Sequence, residues 1–252
     1  MLRTITYNVF GGDAYPAHRH NQDILARFRS QLPERIALEL ALYEPDIVTF
    51  QECPSEGFAD DVAARLDMHH AYFPGGWSGA VLSRYPILES ENCPLPAGTT
   101  RPPECFTRHW GRAMLESPTG PLHLYSAHLH PEHHDTRMAE ISVMLEVMQP
   151  HIHGPAPLLL QGDLNHIDTT PEYHRWAAAG LQDAFAQAGE GERESWSSLA
   201  PRQALDYIWA GGTLRNHATH CRTLNEGAFR PHTGNPASLA LSDHLPVLAV
   251  FS

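Results

Sequence analysis

The chain has 252 residues and a formal net charge of −12, and 42% of it is hydrophobic, enough for one sizeable α/β or all-β core. No apolar run approaches the ~18 residues of a membrane span, and the opening MLRTITYNVFGG lacks the apolar stretch of a signal peptide, so a soluble, cytoplasmic protein is expected. All 17 basic residues are Arg and form no stripe, which argues against tracking along nucleic acid, where clustered cations neutralise successive phosphates.

TITYNVF alternates and is β-prone, so the chain opens on a strand. From Asn21 to Tyr43, Ile24, Phe28, Leu32, Ile36, Leu40 and Tyr43 recur at helical spacing, with a break predicted at Pro33 and an end at Pro45. DIVTFQE reads as a buried strand, Glu56 to Leu66 as a second helix, and SGAVLSRYPI as two strands about a turn at Tyr85 and Pro86. Ser90 to His109 is rich in Pro, Gly, Thr and Cys and reads as a long loop, a class often functional in compact domains. RAMLES and PLHLYSAHL form a hairpin. His133 to His151 is a helix with Met138, Ile141, Met144, Leu145 and Met148 on one face. PLLLQGDLN is a strand, Pro171 to Ala179 a helix, and ALDYIWA, roughly Leu214 to Leu224, and PVLAVF are further strands. Strands along the whole chain with helices between them predict two packed sheets with helices outside, in one domain spanning 1–252. Cys53, Cys93, Cys105 and Cys221 match no zinc spacing. Four free thiols are expected, although Cys93 and Cys105 flank a Pro-rich loop that can bring them together.

Several strands end in polar residues fit for chemistry: TYNVF in Asn8, VTFQE in Glu52, YSAHL in His128, LLLQGDLN in Asp163 and Asn165. Asp206 lies within ALDYI, and LSDHLPV carries Asp243 and His244. Side-by-side strands hold such tips along one sheet edge, where they converge. Each alone has an ordinary structural account: a solvated strand end for Glu52, a turn residue for Asp163, a satisfied core histidine for His128. Asp206 is harder to dismiss, because a carboxylate inside an apolar strand must be paired or hydrogen-bonded. The run His128, His130, His133, His134 lacks the HExxH spacing of a zinc site. His133 and His134 instead read as a helix start with Asp135 in its first turn, and Arg137 and Glu140 as a pair with each other or with neighbours.

Taken together and in this order, TYNVF, QE, SAHL, GDLN, LDYI and SDHLPV resemble the endonuclease/exonuclease/phosphatase superfamily, which includes DNase I-like nucleases, apurinic-site endonucleases, neutral sphingomyelinases and inositol polyphosphate phosphatases. The matches run from Asn8 to Pro246. The resemblance implies a DNase I-like α/β/β/α sandwich of two packed mixed sheets flanked by helices. It also implies roles. Glu52 would ligate Mg²⁺ or Mn²⁺ with Asn8 and Asp243. Asp163 would orient or deprotonate the attacking water, Asn165 and His244 would hold the phosphate oxygens, Asp206 would fix the His244 ring, and His128 would contact the phosphate or the leaving group. The chemistry accords with these roles: hard divalent cations take oxygen ligands, and phosphoryl transfer is governed by positioning and charge stabilisation.

For the substrate, a small phosphate ester (a nucleotide, a lipid headgroup or a sugar phosphate) is favoured, hydrolysed by a metal-dependent phosphodiesterase. A DNA or RNA nuclease of the repair type is the alternative, and a non-catalytic protein that kept the fold is disfavoured because every position is filled by a competent residue. The long loop with Arg101 and Arg108 is the main candidate specificity element, Asp13 to Asn21 a second, and Arg137 a further candidate for facing substrate. The sequence does not fix an oligomeric state.

Overall fold

The computed structural model describes every residue except Thr233 and Pro236. β1 (Leu2–Asn8) is followed by α1 (Gln22–Ala41), β2 (Ile47–Gln51), α2 (Glu56–Leu66), β3 (His69–Phe73) and β4 (Gly79–Ser83). β5 (Ile87–Asn92), β6 (His109–Ser117), β7 (Gly120–His128), α3 (His134–Ile152), β8 (Pro157–Asp163) and α4 (Pro171–Ala178) come next. β9 (Gln182–Asp183), α5 (Ala184–Ala188), β10 (Asp206–Gly212), β11 (Ala218–Thr223) and β12 (Val247–Phe251) complete the order. The strands form two six-stranded sheets, ordered β11-β12-β1-β2-β4-β3 and β5-β6-β7-β8-β10-β9. Both are mixed: β1 runs parallel to β2 and β7 parallel to β8, while β1 and β12 are antiparallel.

The period-two alternation of the strands sorts their side chains into three cores. Ile5, Tyr7, Val48 and Phe50 face Leu25, Phe28, Leu32, Ile36 and Leu40 of α1. Tyr125, Leu158, Leu160 and Trp209 face Ile141, Met144 and Met148 of α3 and Trp176 of α4. The alternate residues fill the layer between the sheets, where Leu115, Leu122, Leu124, Leu159, Ile208, Val247 and Phe251 pack. The chain thus forms the α/β/β/α sandwich of the DNase I-like fold.

The layer between the sheets changes character along its length. Apolar at one end, it becomes polar toward the other, where Thr4 donates its hydroxyl to Gln161 Oε1 across the sheets at 2.8 Å and Thr6, Gln51 and Ser126 are fully buried. The polar end is where the strand tips of interest lie.

Pro33 does not break α1, which runs unbroken through it. A proline inside a helix costs about 3 kcal/mol, but Leu25 and Phe28 before it and Ile36 and Leu40 after it belong to one buried stripe, and packing that stripe outweighs the lost backbone bond. All four cysteines are free. His69 and His70 open the edge strand β3, which pairs with β4.

Candidate active site

Strand register builds one half of the site. His128 and Asp163 are direct partners on parallel β7 and β8, and Asp206 faces Asp163 on antiparallel β10. All three sit at even spacing on the inter-sheet face, so their side chains point the same way. Gly162 allows this close pairing, since a Cβ there would lie 1.9 Å from the Ala127 carbonyl oxygen.

The facing sheet supplies the other half. Asn8 ends β1, and Glu52 follows β2 with φ +53°, a left-handed conformation that a glutamate adopts only when its surroundings impose it. The Asn8 amide donates to Asp163 Oδ2 at 3.0 Å and to Glu52 Oε1 at 3.3 Å, so one side chain spans the two sheets. Ser242 fixes the last segment. Its hydroxyl donates to the Asn8 carbonyl at 2.7 Å and accepts the His244 N–H at 3.1 Å, setting Asp243 and His244 beside the end of β1.

His244 Nδ1 lies 2.8 Å from Asp206 Oδ2, which also accepts the Ser195 hydroxyl at 2.6 Å. The other ring nitrogen is 3.6 Å from Asp163 Oδ2. Burial alone would lower the His244 pKa, but Asp206 and Asp163 overcome it and raise it well above the ordinary histidine value. Burial likewise drives Asp163 above the usual carboxylate range, reinforced by Asp206 and opposed by His244 and the Asn8 amide. His128, 3.4 Å from Asp163, is held neutral by burial and by the nearby Arg108 cation, whose Nε donates to its Nε2 at 3.1 Å. Of the two histidines beside this carboxylate, one is thus pushed toward the neutral form and the other toward the cation.

Glu52 is raised by burial and by the neighbouring Asp243, with the Asn8 hydrogen bond opposing. Among the described residues neither Glu52 nor Asp243 has an ion-pair partner; Asp243 Oδ2 accepts only the Trp196 indole N–H, at 3.2 Å. Two carboxylates without a counter-cation, bordering one cleft, offer the oxygen ligands that a hard divalent cation takes. That cleft, about 470 Å³, is bordered by Glu52, Asp163, Asn165, Asp243, His244 and His128.

The sequence profile of the endonuclease/exonuclease/phosphatase family matches residues 5–244. The chain belongs to this family. Its members are phosphoester hydrolases that use divalent metals. Comparison with curated proteins finds no match. Among solved structures, a mannosyl-6-phosphatase of Bacteroides thetaiotaomicron superposes with a TM-score of 0.77 at 17% identity, covering 100% of both chains. A functionally unknown protein of Enterococcus faecalis gives 0.75 at 19%, covering 100% of this chain and 99% of that one. D. rerio TDP2 complexed with single strand DNA product gives 0.71 at 20%, covering 100% and 98%. At these identities the structures share the family's fold with this chain.

Asn8, Glu52, His128, Asp163, Asn165, Asp206, Asp243 and His244 thus come together. Asn165 donates its N–H to Asp163 Oδ1 at 3.1 Å and its amide to the Leu129 carbonyl at 2.9 Å. The arginines divide. Arg108 borders the cleft. Arg137 also borders it, but its guanidinium is engaged by Glu172 at 2.9 Å and by the His130 and Pro131 carbonyls at 3.1 and 3.0 Å. Arg101 lies outside the cleft lining, exposed, with the Phe106 carbonyl at 3.5 Å. Arg137 and Glu140 do not pair. Glu140 instead accepts the N–H groups of Phe106 at 2.6 Å and His130 at 3.0 Å, which pins the long loop next to the segment after β7. The residues sequence reasoning missed are Ser195, Trp196 and Ser242. Ser242 adjoins Asp243 and His244 in LSDHLPV, so the motif itself could have flagged it, whereas ESWSSL carries no spacing that sets Ser195 and Trp196 apart.

Proposed function

We propose that residues 1–252 form one cytoplasmic hydrolase domain that uses Mg²⁺ or Mn²⁺ to cleave small phosphate esters, phosphodiesters foremost. The observation that carries this reading is the cleft in which a cationic His244 and a buried Asp163 face the unpaired carboxylates Glu52 and Asp243. Glu52 and Asp243 would hold the cation, braced by Asn8. When bound, the metal supplies positive charge to the phosphate oxygens. Asp163, Asp206 and His244 also offer ligand atoms within 4.8 Å of one another. Asp206 and His244 are already joined to Ser195 in one hydrogen-bond chain, which a metal there would break.

Asp163 orients a water and takes its proton as the water oxygen bonds to phosphorus. The bond from phosphorus to the ester oxygen breaks with its electron pair on the departing oxygen, which takes a proton from solvent, while Asp163 returns to solvent the proton it gained. His244 donates its Nε2 proton as a hydrogen bond to a non-bridging oxygen, Asn165 lies beside it, and His128 with Arg108 faces the same phosphate. Arg108 is the one cleft arginine not bound up in an ion pair among the described residues, which favours a small ester over a long polyanion.

The test is turnover of a panel of small diesters, monoesters and DNA with Mg²⁺ or Mn²⁺, with EDTA as control. Bis(p-nitrophenyl) phosphate should be cleaved faster than duplex DNA, EDTA should abolish turnover, and Asp163→Ala and His244→Ala should each lower kcat on the order of 10²-fold or more. Salt-sensitive DNA cleavage with little diester turnover would overturn the substrate, and near-parental turnover in both variants would overturn the site.

A further inference from the structure

Glu52 is the common wall of two cavities. One is the cleft described above; the other, about 360 Å³, is bordered by Gly11, Pro54, Gly75, Gly76 and Trp77. None of Asp163, His128 or His244 borders this second space. Its one large side chain, Trp77, is 48% exposed, an unusual waste for an indole that neither packs in a core nor meets a ligand.

The wall is fixed relative to Glu52. Gly11 N–H donates to the Glu52 carbonyl at 3.0 Å, and Cys53 N–H donates to the Ser78 carbonyl at 2.8 Å, tying the Trp77 turn to the Glu52 backbone. The Ser78 hydroxyl in turn accepts the Gly75 N–H at 3.2 Å. The glycines are required: a Cβ on Gly75 would lie 1.8 Å from the Arg108 carbonyl oxygen, and one on Gly76 2.3 Å from that of Thr107. At Gly11 an added Cβ would touch the indole, 3.5 Å from Cζ3. The backbone thus holds the indole in place beside Glu52 and leaves it one exposed face on which a flat ring can stack.

We propose that this cavity is a second substrate subsite in which a ring on one arm of the ester stacks on Trp77, so that the substrate is a phosphodiester whose two organic arms fill the two cavities meeting at Glu52. This rests on the phosphoesterase reading above. In-line displacement sets the attacking water and the departing oxygen on opposite sides of phosphorus. Asp163 borders only the first cavity, so the arm over Trp77 is the departing one. A monoester would fill one cavity alone.

The test compares the parent, Trp77→Ala and Trp77→Phe on bis(p-nitrophenyl) phosphate with Mn²⁺, and the parent on p-nitrophenyl phosphate. Trp77→Ala should raise KM for the diester by roughly 10-fold with kcat within about two-fold, as loss of a stacking platform does. Trp77→Phe should recover most of the affinity, and the parent should show the higher kcat/KM on the diester. An unchanged KM in Trp77→Ala, or a parent that prefers the monoester, overturns the proposal. If the parent turns over neither, calorimetric Kd values for the diester on the same proteins separate the two readings. Weakened binding in Trp77→Ala then keeps the subsite while the hydrolase fails, and equal Kd values remove the subsite.

Discussion

At the residue scale, the charge of His244 depends on a chain of contacts, from the Ser195 hydroxyl to Asp206 Oδ2 at 2.6 Å and from that oxygen to His244 Nδ1 at 2.8 Å. In the proposed mechanism Asp206 keeps the proton on Nδ1, so that Nε2 also carries one when the ring is cationic. Asp206→Asn retains the shape but offers the ring an amide donor and removes the charge. It should lower kcat on the order of 10²-fold with little change in KM; a kcat within two-fold of the parent would remove Asp206 from the mechanism. Steady-state kinetics on the best diester of the panel decides this. The carboxylates and histidines of the site were legible in sequence because each adjoins an apolar run, Asp206 opening β10 and Asp243 and His244 just ahead of β12, and burial makes that costly without a purpose. Ser195 and Trp196 were not, because a serine and a tryptophan in an irregular segment look alike whether or not a distant strand needs them.

At the element scale, the segment between α5 and β10 that carries Ser195 and Trp196 is irregular and needs an anchor. Arg193 provides it. Its guanidinium pairs with buried Asp183 and reaches Asp168 at 3.7 Å, and it lies over the rings of Tyr173, Phe185 and Tyr207 at 5.6, 5.2 and 4.9 Å. Arg193→Met would leave the Asp183 carboxylate buried without its partner. A loss of about 3–5 kcal/mol in stability is expected from such a break, with Arg193→Lys recovering part of it; urea denaturation of the three proteins measures both. Helices and buried strands were legible because their periodicities repeat over many residues. The unbroken α1 was not, since whether a helix survives Pro33 depends on what its two halves pack against. Nor was β3, an edge strand whose first two residues are histidines.

At the scale of the whole molecule, the acid side of the stability curve is set by neutral histidines in the cores. Burial holds His109 and His166 at pKa values of about 3, against 6.5 for an unburied ring. Between those values the unfolded chain binds protons that the folded chain refuses, so stability falls as pH drops below about 6.5, by roughly 1.4 kcal/mol per pH unit for each ring. Glu172 acts elsewhere on the curve. Burial would raise it, but hydrogen bonds from His134 and Arg137 bring it to about 2, so its contribution is present above about 4.5 and is lost only as pH falls toward 2. Asp163, raised to about 7, opposes this, because over the same range the folded chain takes up a proton there that the unfolded chain does not. Unfolding free energies measured from pH 7 to pH 5 should therefore decline by less than the buried histidines alone would give, and His109→Gln with His166→Gln should make that decline smaller; a double variant that loses as much stability over this range as the parent would contradict it. The pairing of β1 with β12 has a consequence for the order in which the molecule is made. The sheet of β5 to β10 can be complete while the first sheet still waits for its last two strands, and Asp243 and His244 reach the cleft only when β12 docks beside β1. In chain order Asp243 and His244 thus arrive after the other six site residues, so in the proposed mechanism the nascent chain gains its cationic ring only once β12 has been made and has docked.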